Sequence, residues 1–384
     1  MLIPRTYHVS QIMSRMEQNP VVAIIGARQV GKTTITHEIA TLIKMPIHRF
    51  DLEDPEDLAR LNEPKLALKD LTGLVIIDEI QRKPELFPLL RVLADRDDKA
   101  AQFLILGSAS PKLLKQSSES LAGRISYYSL NGFAVDEIDS KDELKLWIRG
   151  GFPRSYLASS EKESFAWRKD FIRTFLERDI PQLGFHIPAI TLHRFWNMLA
   201  HYHGQIWNGS ELGRAFGMSH ASVKRYVDLL TDALVVWQLK PWYQNMSKRQ
   251  VKAPKVYIRD SGILHGLLGI ESFLALEKHP KIGASWEGFV LSELLHQLKV
   301  EPSEAYFWAT HAGAELDLLV FINGQPIGFE IKRTTSPKMT PSINNSLTDL
   351  KLDRLFVIHA GDHEFQIHEK VNAIPMASIQ NLII

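Results

Sequence analysis

A chain of 384 residues with 45% hydrophobic and 23% charged side chains buries sizeable cores, is long for a single one, and carries no signature of disorder. Lys and Arg number 45 against 44 Asp and Glu, a formal charge of +1, so the whole chain implies no strongly acidic or basic partner and any basic surface is local. The absence of cysteine excludes disulfides, thiolate metal sites and cysteine nucleophiles. No stretch approaches the roughly 20 apolar residues that span a bilayer, and Met1–His8 lacks the apolar core of a signal peptide, so a soluble, cytoplasmic protein without a membrane partner is expected.

The apolar run Val21–Ile25 leads into Gly26-Ala27-Arg28-Gln29-Val30-Gly31-Lys32-Thr33-Thr34, whose spacing G-x-x-x-x-G-K-T is that of a phosphate-binding P-loop. Gly26 and Gly31 allow the backbone to approach a phosphate and aim successive N–H groups at its oxygens. Lys32 adds a charge near the β- and γ-phosphates, and Thr33 offers a hydroxyl to Mg²⁺. The segment Thr34–Lys44 is predicted to start a helix whose dipole also favours the anion. Residues 26–34 are therefore the expected ATP site. Further apolar runs at Ile47–Leu52, Leu74–Ile77, Phe103–Leu106 and Ile125–Leu130, most of them separated by helix-length segments, predict a parallel sheet covered by helices over residues 1–140.

In such sheets ligands bind beyond the carboxyl ends of the strands. The run Leu74–Ile77 ends in Asp78-Glu79, where Asp78 is assigned to the Mg²⁺ shell and Glu79 to polarising the attacking water. Phe103–Leu106 ends in Gly107-Ser108; Ser108 is either a sensor of the γ-phosphate or a helix N-cap or turn residue. Arg124 is the first candidate for an arginine placed in trans at a neighbour's γ-phosphate, with a surface salt bridge as the alternative.

These features together resemble an AAA+ ATPase. Leu121-Ala122-Gly123-Arg124, Gly150-Gly151-Phe152-Pro153 and Leu176-Glu177-Arg178-Asp179-Ile180 are similar to a narrower group of bacterial and archaeal AAA+-like proteins that end in a nuclease-like domain. The resemblance implies a homo-oligomer, with ATP at subunit interfaces and an arginine given by the neighbour. Arg124 matches the expected region, and Arg178 is the second possibility.

Over residues 141–275 a helical linker and a winged helix-turn-helix are expected. Gly150–Pro153 reads as a hinge or boundary, and Glu161–Ile180 as one core-facing helix. Ser210–Leu230 reads as two helices turning at Gly217, the second capped by Ser219. His220, Ser222, Lys224 and Arg225 then face DNA, while Val223, Tyr226, Val227 and Leu230 face the core; a helical pair for protein contacts is the alternative. Between residues 240 and 260, Lys240, Lys248, Arg249, Lys252, Lys255 and Arg259 accompany Trp242, Tyr243 and Tyr257, a mixture suited to phosphate contacts and stacking or to a solvated loop with buried aromatics.

Over residues 276–384, a helix at Gly283–Leu295 precedes the strands Asp317–Ile322 and Pro326–Lys332, joined by the turn dipeptide Asn323-Gly324. A period of two puts Glu330 and Lys332 on one face, away from Phe329 and Ile331, with Asp317 opening the partner strand. Glu287, Asp317 and Glu330 make a hard-cation site for a second Mg²⁺ or Mn²⁺, and Lys332 orients water. The set resembles a PD-(D/E)XK nuclease, with Leu316 where that name places proline, and implies metal-dependent DNA cleavage by Asp317, Glu330 and Lys332. A half-exposed hairpin of alternating charged and apolar residues looks the same.

The expected fold class is α/β: a P-loop parallel-sheet ATPase domain, a helical and winged-helix middle, and a C-terminal α/β nuclease-like domain. The expected function is ATP hydrolysis coupled to DNA binding or processing. The alternatives are a non-cleaving nucleotide switch and a branch-migration-like remodelling motor.

Overall fold

Uninterrupted aliphatic runs make strands buried on both faces. In the computed structural model, which describes residues 3–96, 101–108, 119–185, 187–243 and 251–382, the N-terminal runs form five strands, the three central ones largely buried on both faces and the two edge ones half-buried. These are β1 (Val21–Gly26), β2 (Ile47–Asp51), β3 (Gly73–Asp78), β4 (Ala101–Ser108) and β5 (Ile125–Ser129), in the order β2-β3-β4-β1-β5. All four pairings are parallel, with Val21 opposite both Phe103 and Ile125. One face is a core of Val21, Ala23, Val75, Ile77, Phe103 and Ile105, covered by Leu86, Phe87 and Leu90 of the helix Leu86–Ala94. The helix after the P-loop spans Lys32–Leu42, starting two residues before the predicted one, because Gly31 at φ 98° closes the loop directly onto it.

The chain divides into one unit of residues 1–132 with 232–234 and another of 133–231 with 235–384. The second unit holds β6 (Gln205–Ile206), β7 (Val236–Pro241), β8 (Lys255–Ile258), β9 (Tyr306–Ala309), β10 (Glu315–Ile322), β11 (Gln325–Lys332), β12 (Arg354–His359), β13 (Phe365–His368) and β14 (Val371–Pro375). They form one sheet in the order β13-β14-β12-β11-β10-β9-β7-β8-β6. The join is the parallel pairing of β7 with β9, Lys240 opposite Tyr306, so strands from before and after residue 275 share one ladder. Between β6 and β7 lie the helices Gly209–Phe216 and His220–Asp232.

Two local expectations are corrected. The helix predicted over Glu161–Ile180 is α-helical only to Thr174. Phe175–Asp179 then form a π-helical turn before the short helix Ile180–Gln182, where Pro181 removes a backbone donor. Gly150–Pro153 is no hinge but a buried junction. Gly150 takes φ 75°, where a side chain would be strained, and a Cβ there would lie 2.1 Å from Asp260 Oδ1. Asp260 meanwhile accepts the Gly151 N–H at 2.7 Å and the Ile263 N–H at 2.8 Å, tying this segment to the helix Ser261–Leu268.

Candidate functional sites

β1 delivers the P-loop to the carboxyl edge of the first sheet, where Gly26 lies opposite Ser108 of β4. Lys32, buried in the first helical turn, donates from Nζ to the carbonyls of Gly26 at 3.1 Å and Ala27 at 3.0 Å, so its ammonium sits inside the curl of the loop. The Thr33 hydroxyl donates to Asp78 Oδ2 at 2.7 Å, while Asp78 Oδ1 accepts the Glu79 N–H at 2.8 Å. The two groups predicted to serve Mg²⁺ are thus adjacent, though β4 separates their strands.

Glu79 occupies left-handed backbone at φ 54°, an uncommon conformation for a residue with a side chain, and Gln81 donates to its Oε2. Burial, opposed by the Lys32 charge and reinforced by Asp78, raises its pKa above the usual glutamate value. A carboxylate with raised proton affinity is what a general base for water requires. Arg28 pairs with Glu53 at 2.7 Å, Val30 is buried, and Gln29 and Thr34 are exposed. Arg5, which no motif in the sequence singles out, is buried and donates to the carbonyls of Val30, Asn131 and Gly132, bracing the loop from behind; no local pattern announces such a bond. Ser108 closes β4, and its side chain lies outside the described residues.

Arg124 lies just before β5, its carbonyl accepting the Val21 N–H, and pairs with Asp95. It is therefore at the opposite end of β1 from the P-loop, roughly 17 Å away at about 3.3 Å per residue. Arg178 lies on the π-helical turn of the second unit. The loop fits ATP and Mg²⁺: an enclosed ammonium, a hydroxyl beside a carboxylate, and the amino end of an 11-residue helix converge there.

In the second unit the helix pair turns at Gly217, in left-handed backbone at φ 64°, and the Ser219 hydroxyl accepts the Ser222 N–H at 3.1 Å. Val223, Val227 and Leu230 are buried, Tyr226 packs edge-on against Phe195, and His220, Lys224 and Arg225 are exposed. Ser222 is half-buried against Ser219. Of the basic stretch, Lys240 and Lys252 are exposed, whereas Lys248 and Arg249 lie outside the described residues. Lys255 and Tyr257 are buried in β8 and are removed from the candidate DNA face. Trp242 packs against Tyr306 and Phe321, so it too serves the core.

Lys255 belongs instead to the carboxylate cluster. Its Nζ lies 3.1 Å from Glu287 Oε1 and 3.5 Å from Asp317 Oδ1 and also contacts Glu315, and Tyr257 donates to Glu287 Oε1 at 2.6 Å. Burial drives the ammonium down, but Tyr257 and the three carboxylates outweigh it and hold the pKa well above the usual lysine value. β10 pairs with β11 with Leu318 opposite Phe329, a register that continues to Asp317 and Glu330. Asp317 Oδ2 accepts the Ile331 N–H at 2.8 Å, and Lys332 pairs with Glu330 at 2.6 Å, on the shared face that the period of two requires. Burial and then the neighbouring Asp317 push Glu330 up to about 8.

The predicted residues Glu287, Asp317, Glu330 and Lys332 are thus brought together, but the carboxylates do not fit a divalent cation. Among the described residues no three His, Asp or Glu side chains converge as a cation-holding set, and an ammonium stands among them. The signal for Lys255 was its place in an apolar β-prone run, Val256-Tyr257-Ile258, which marks a buried strand rather than a solvated loop.

Among the described residues no helix is long and apolar enough to cross a membrane. Residues 18–139 match the family model of an AAA domain, residues 140–274 that of a domain of unknown function, DUF8612, and residues 282–379 that of a second, DUF4143. Uncharacterized proteins of Mycobacterium bovis and Mycobacterium tuberculosis are each 50% identical over 379 residues, covering 99% of this chain and 85% of theirs. Among solved structures, a Walker-type ATPase of Pyrococcus abyssi superposes with TM-score 0.49 at 15% identity, over 70% of this chain and 96% of that one. The RuvB Holliday junction branch migration motor of Thermotoga maritima gives 0.32 at 18%, over 62% and 90%. The chain belongs to the family of the two mycobacterial proteins, and its N-terminal part is an AAA-type P-loop ATPase domain.

Proposed function

We propose that the protein is an ATP-hydrolysing switch or motor that binds duplex DNA without cutting it. The observation that carries this reading is the Thr33 hydroxyl bonded to Asp78 with Glu79 held beside it, within one loop and one strand end. In this reading Lys32 neutralises the β- and γ-phosphates, Thr33 and Asp78 hold the Mg²⁺, and Glu79 draws a proton from the attacking water. The Mg²⁺, when bound, neutralises charge on the phosphates. Arg124, remote from its own P-loop, serves that of a neighbouring copy in a homo-oligomer, with Arg178 as the alternative. The element order supports a winged helix-turn-helix, whose exposed His220, Lys224 and Arg225 approach DNA. A DNA partner and a chain without cysteine suit the cytoplasm.

The competing reading adds DNA cleavage with a second Mg²⁺ or Mn²⁺ on Glu287, Asp317 and Glu330. The ion pairs of Lys255 with Glu287 and Asp317 favour the non-cleaving form. The test is ATP turnover against single-stranded, duplex and branched DNA, with end-labelled strands in the same tubes. Duplex or branched DNA should raise turnover, the strands should stay intact, and Lys32→Ala should cut turnover about 100-fold or more. Turnover indifferent to every nucleic acid removes the DNA part, and shortened strands restore the nuclease.

A further inference from the structure

Nuclease-like carboxylate sites on a sheet are filled by divalent ions because three or more anionic oxygens cannot be held together without a counter-charge. Here the counter-charge is covalently part of the chain. Lys255 is only 3% exposed, and β8 directs its ammonium to Glu287 at 3.1 Å, to Asp317 at 3.5 Å and to Glu315, above the Phe307 ring at 5.7 Å. Tyr257, two residues on and so on the same strand face, donates to the same Glu287 oxygen, which is thereby doubly engaged. Both oxygens of Asp317 are occupied as well, one by Lys255 and the other by the Ile331 N–H. An entering ion would have to strip these oxygens and leave a buried ammonium without partners. In Glu330, Oε1 pairs with Lys332, and the buried Oε2 has no hydrogen-bond partner.

We propose that Lys255 is the resident cation of this carboxylate pocket, so that the wild-type protein takes no divalent ion there and gains a divalent-ion site only when the ammonium is removed. With Lys255 gone, Asp317 Oδ1 and Glu287 lose their counter-charge and have to close up with the Glu330 Oε2 around an added ion; all are hard oxygen donors of the kind Mn²⁺ and Mg²⁺ accept. The inference rests on the non-cleaving part of the reading above and is indifferent to ATP turnover.

The experiment is Mn²⁺ titration of the nucleotide-free, full-length protein, followed by the electron paramagnetic resonance of unbound Mn²⁺. It compares wild type, Asp317→Asn, Lys255→Ala and the double variant Lys255→Ala/Asp317→Asn. Wild type and Asp317→Asn should give the same curve, whereas Lys255→Ala should bind one further ion at least about 10-fold more tightly than any site in wild type. That gain should vanish in the double variant. Should Lys255→Ala fold only when Mn²⁺ is supplied, as judged by circular dichroism, the proposal is supported by the same logic. A wild-type ion lost in Asp317→Asn overturns it, as does a folded Lys255→Ala that binds no added Mn²⁺. If Lys255→Ala does not fold under any condition, the wild-type and Asp317→Asn pair decides: identical curves uphold the proposal and an Asp317-dependent ion ends it. DNA-stimulated ATP turnover in wild type is measured separately, so failure of the switch reading and failure of this inference are told apart.

Discussion

Glu293, buried on the helix Ile282–Leu298, accepts the Val135 N–H at 2.9 Å. Burial, tempered by that bond and reinforced by Asp136, Glu137 and Glu143, pushes it up to about 8 from an unfolded value of 4.5. A folded pKa above the unfolded one means that the folded state binds the extra proton. The stability is full below the unfolded value and is lost as pH rises towards 8, at about 1.4 kcal/mol per pH unit from this group. Glu293→Gln keeps an acceptor for Val135 and should flatten the pH 5–8 dependence by that amount; urea denaturation at pH 5, 6, 7 and 8 measures it, and an unchanged slope rejects the assignment. Gly262 offers a second test. A helix-interior alanine is ordinarily better than glycine by roughly 1 kcal/mol, but a Cβ here would lie 2.0 Å from the Arg149 carbonyl oxygen. Gly262→Ala should therefore destabilise by about 3 kcal/mol or more, read as a fall in thermal midpoint. At this scale the P-loop was legible because its groups are consecutive in the chain. The role of Lys255 was not, because Glu287, Glu315 and Asp317 meet it only through helix and strand packing.

Helices and strands whose burial follows from their own periodicity were read correctly: the parallel strands of the first sheet, the β10–β11 hairpin, and the buried face Val223, Val227, Leu230 of the helix His220–Asp232. The π-helical turn at Phe175–Asp179 was not, since a helical period of residue types does not distinguish one hydrogen-bond spacing from another. The exposed side of the His220–Asp232 helix carries its own test. Lys224 shares its charge with Asp228 at 3.0 Å, and Arg225 beside it is exposed. If both reach phosphates, Lys224→Glu/Arg225→Glu should weaken binding to all duplex sequences alike and lower the salt dependence of log K by about 0.9 for each phosphate no longer neutralised. Fluorescence anisotropy at several salt concentrations checks this; unchanged slopes make the helix pair a protein-contact module.

For the whole molecule, fold class was legible because each segment's apolar pattern selects its own layer, while the continuity of the second sheet was not, since pairing between β7 and β9 leaves no trace in either strand. That pairing decides how the polypeptide behaves while it is being made. β7 and β8 leave the ribosome before β9, and Lys255 precedes Asp317 by about 60 residues, a delay of several seconds at roughly 5–20 residues per second. β7 presents an unpaired edge until β9 emerges, and Lys255 gains Glu287 after about 30 residues but Glu315 and Asp317 only after about 60, so the β7–β8 pair cannot close into its final core until the last quarter of the chain has begun to emerge. A fragment ending at residue 275 freezes that moment: it should be recovered as aggregate through the open edge of β7, while residues 133–384 should stay in solution, a difference that size-exclusion chromatography reads directly. The C-terminal part of the sheet thus supplies, through β9, the strand on which the preceding β7–β8 pair is completed.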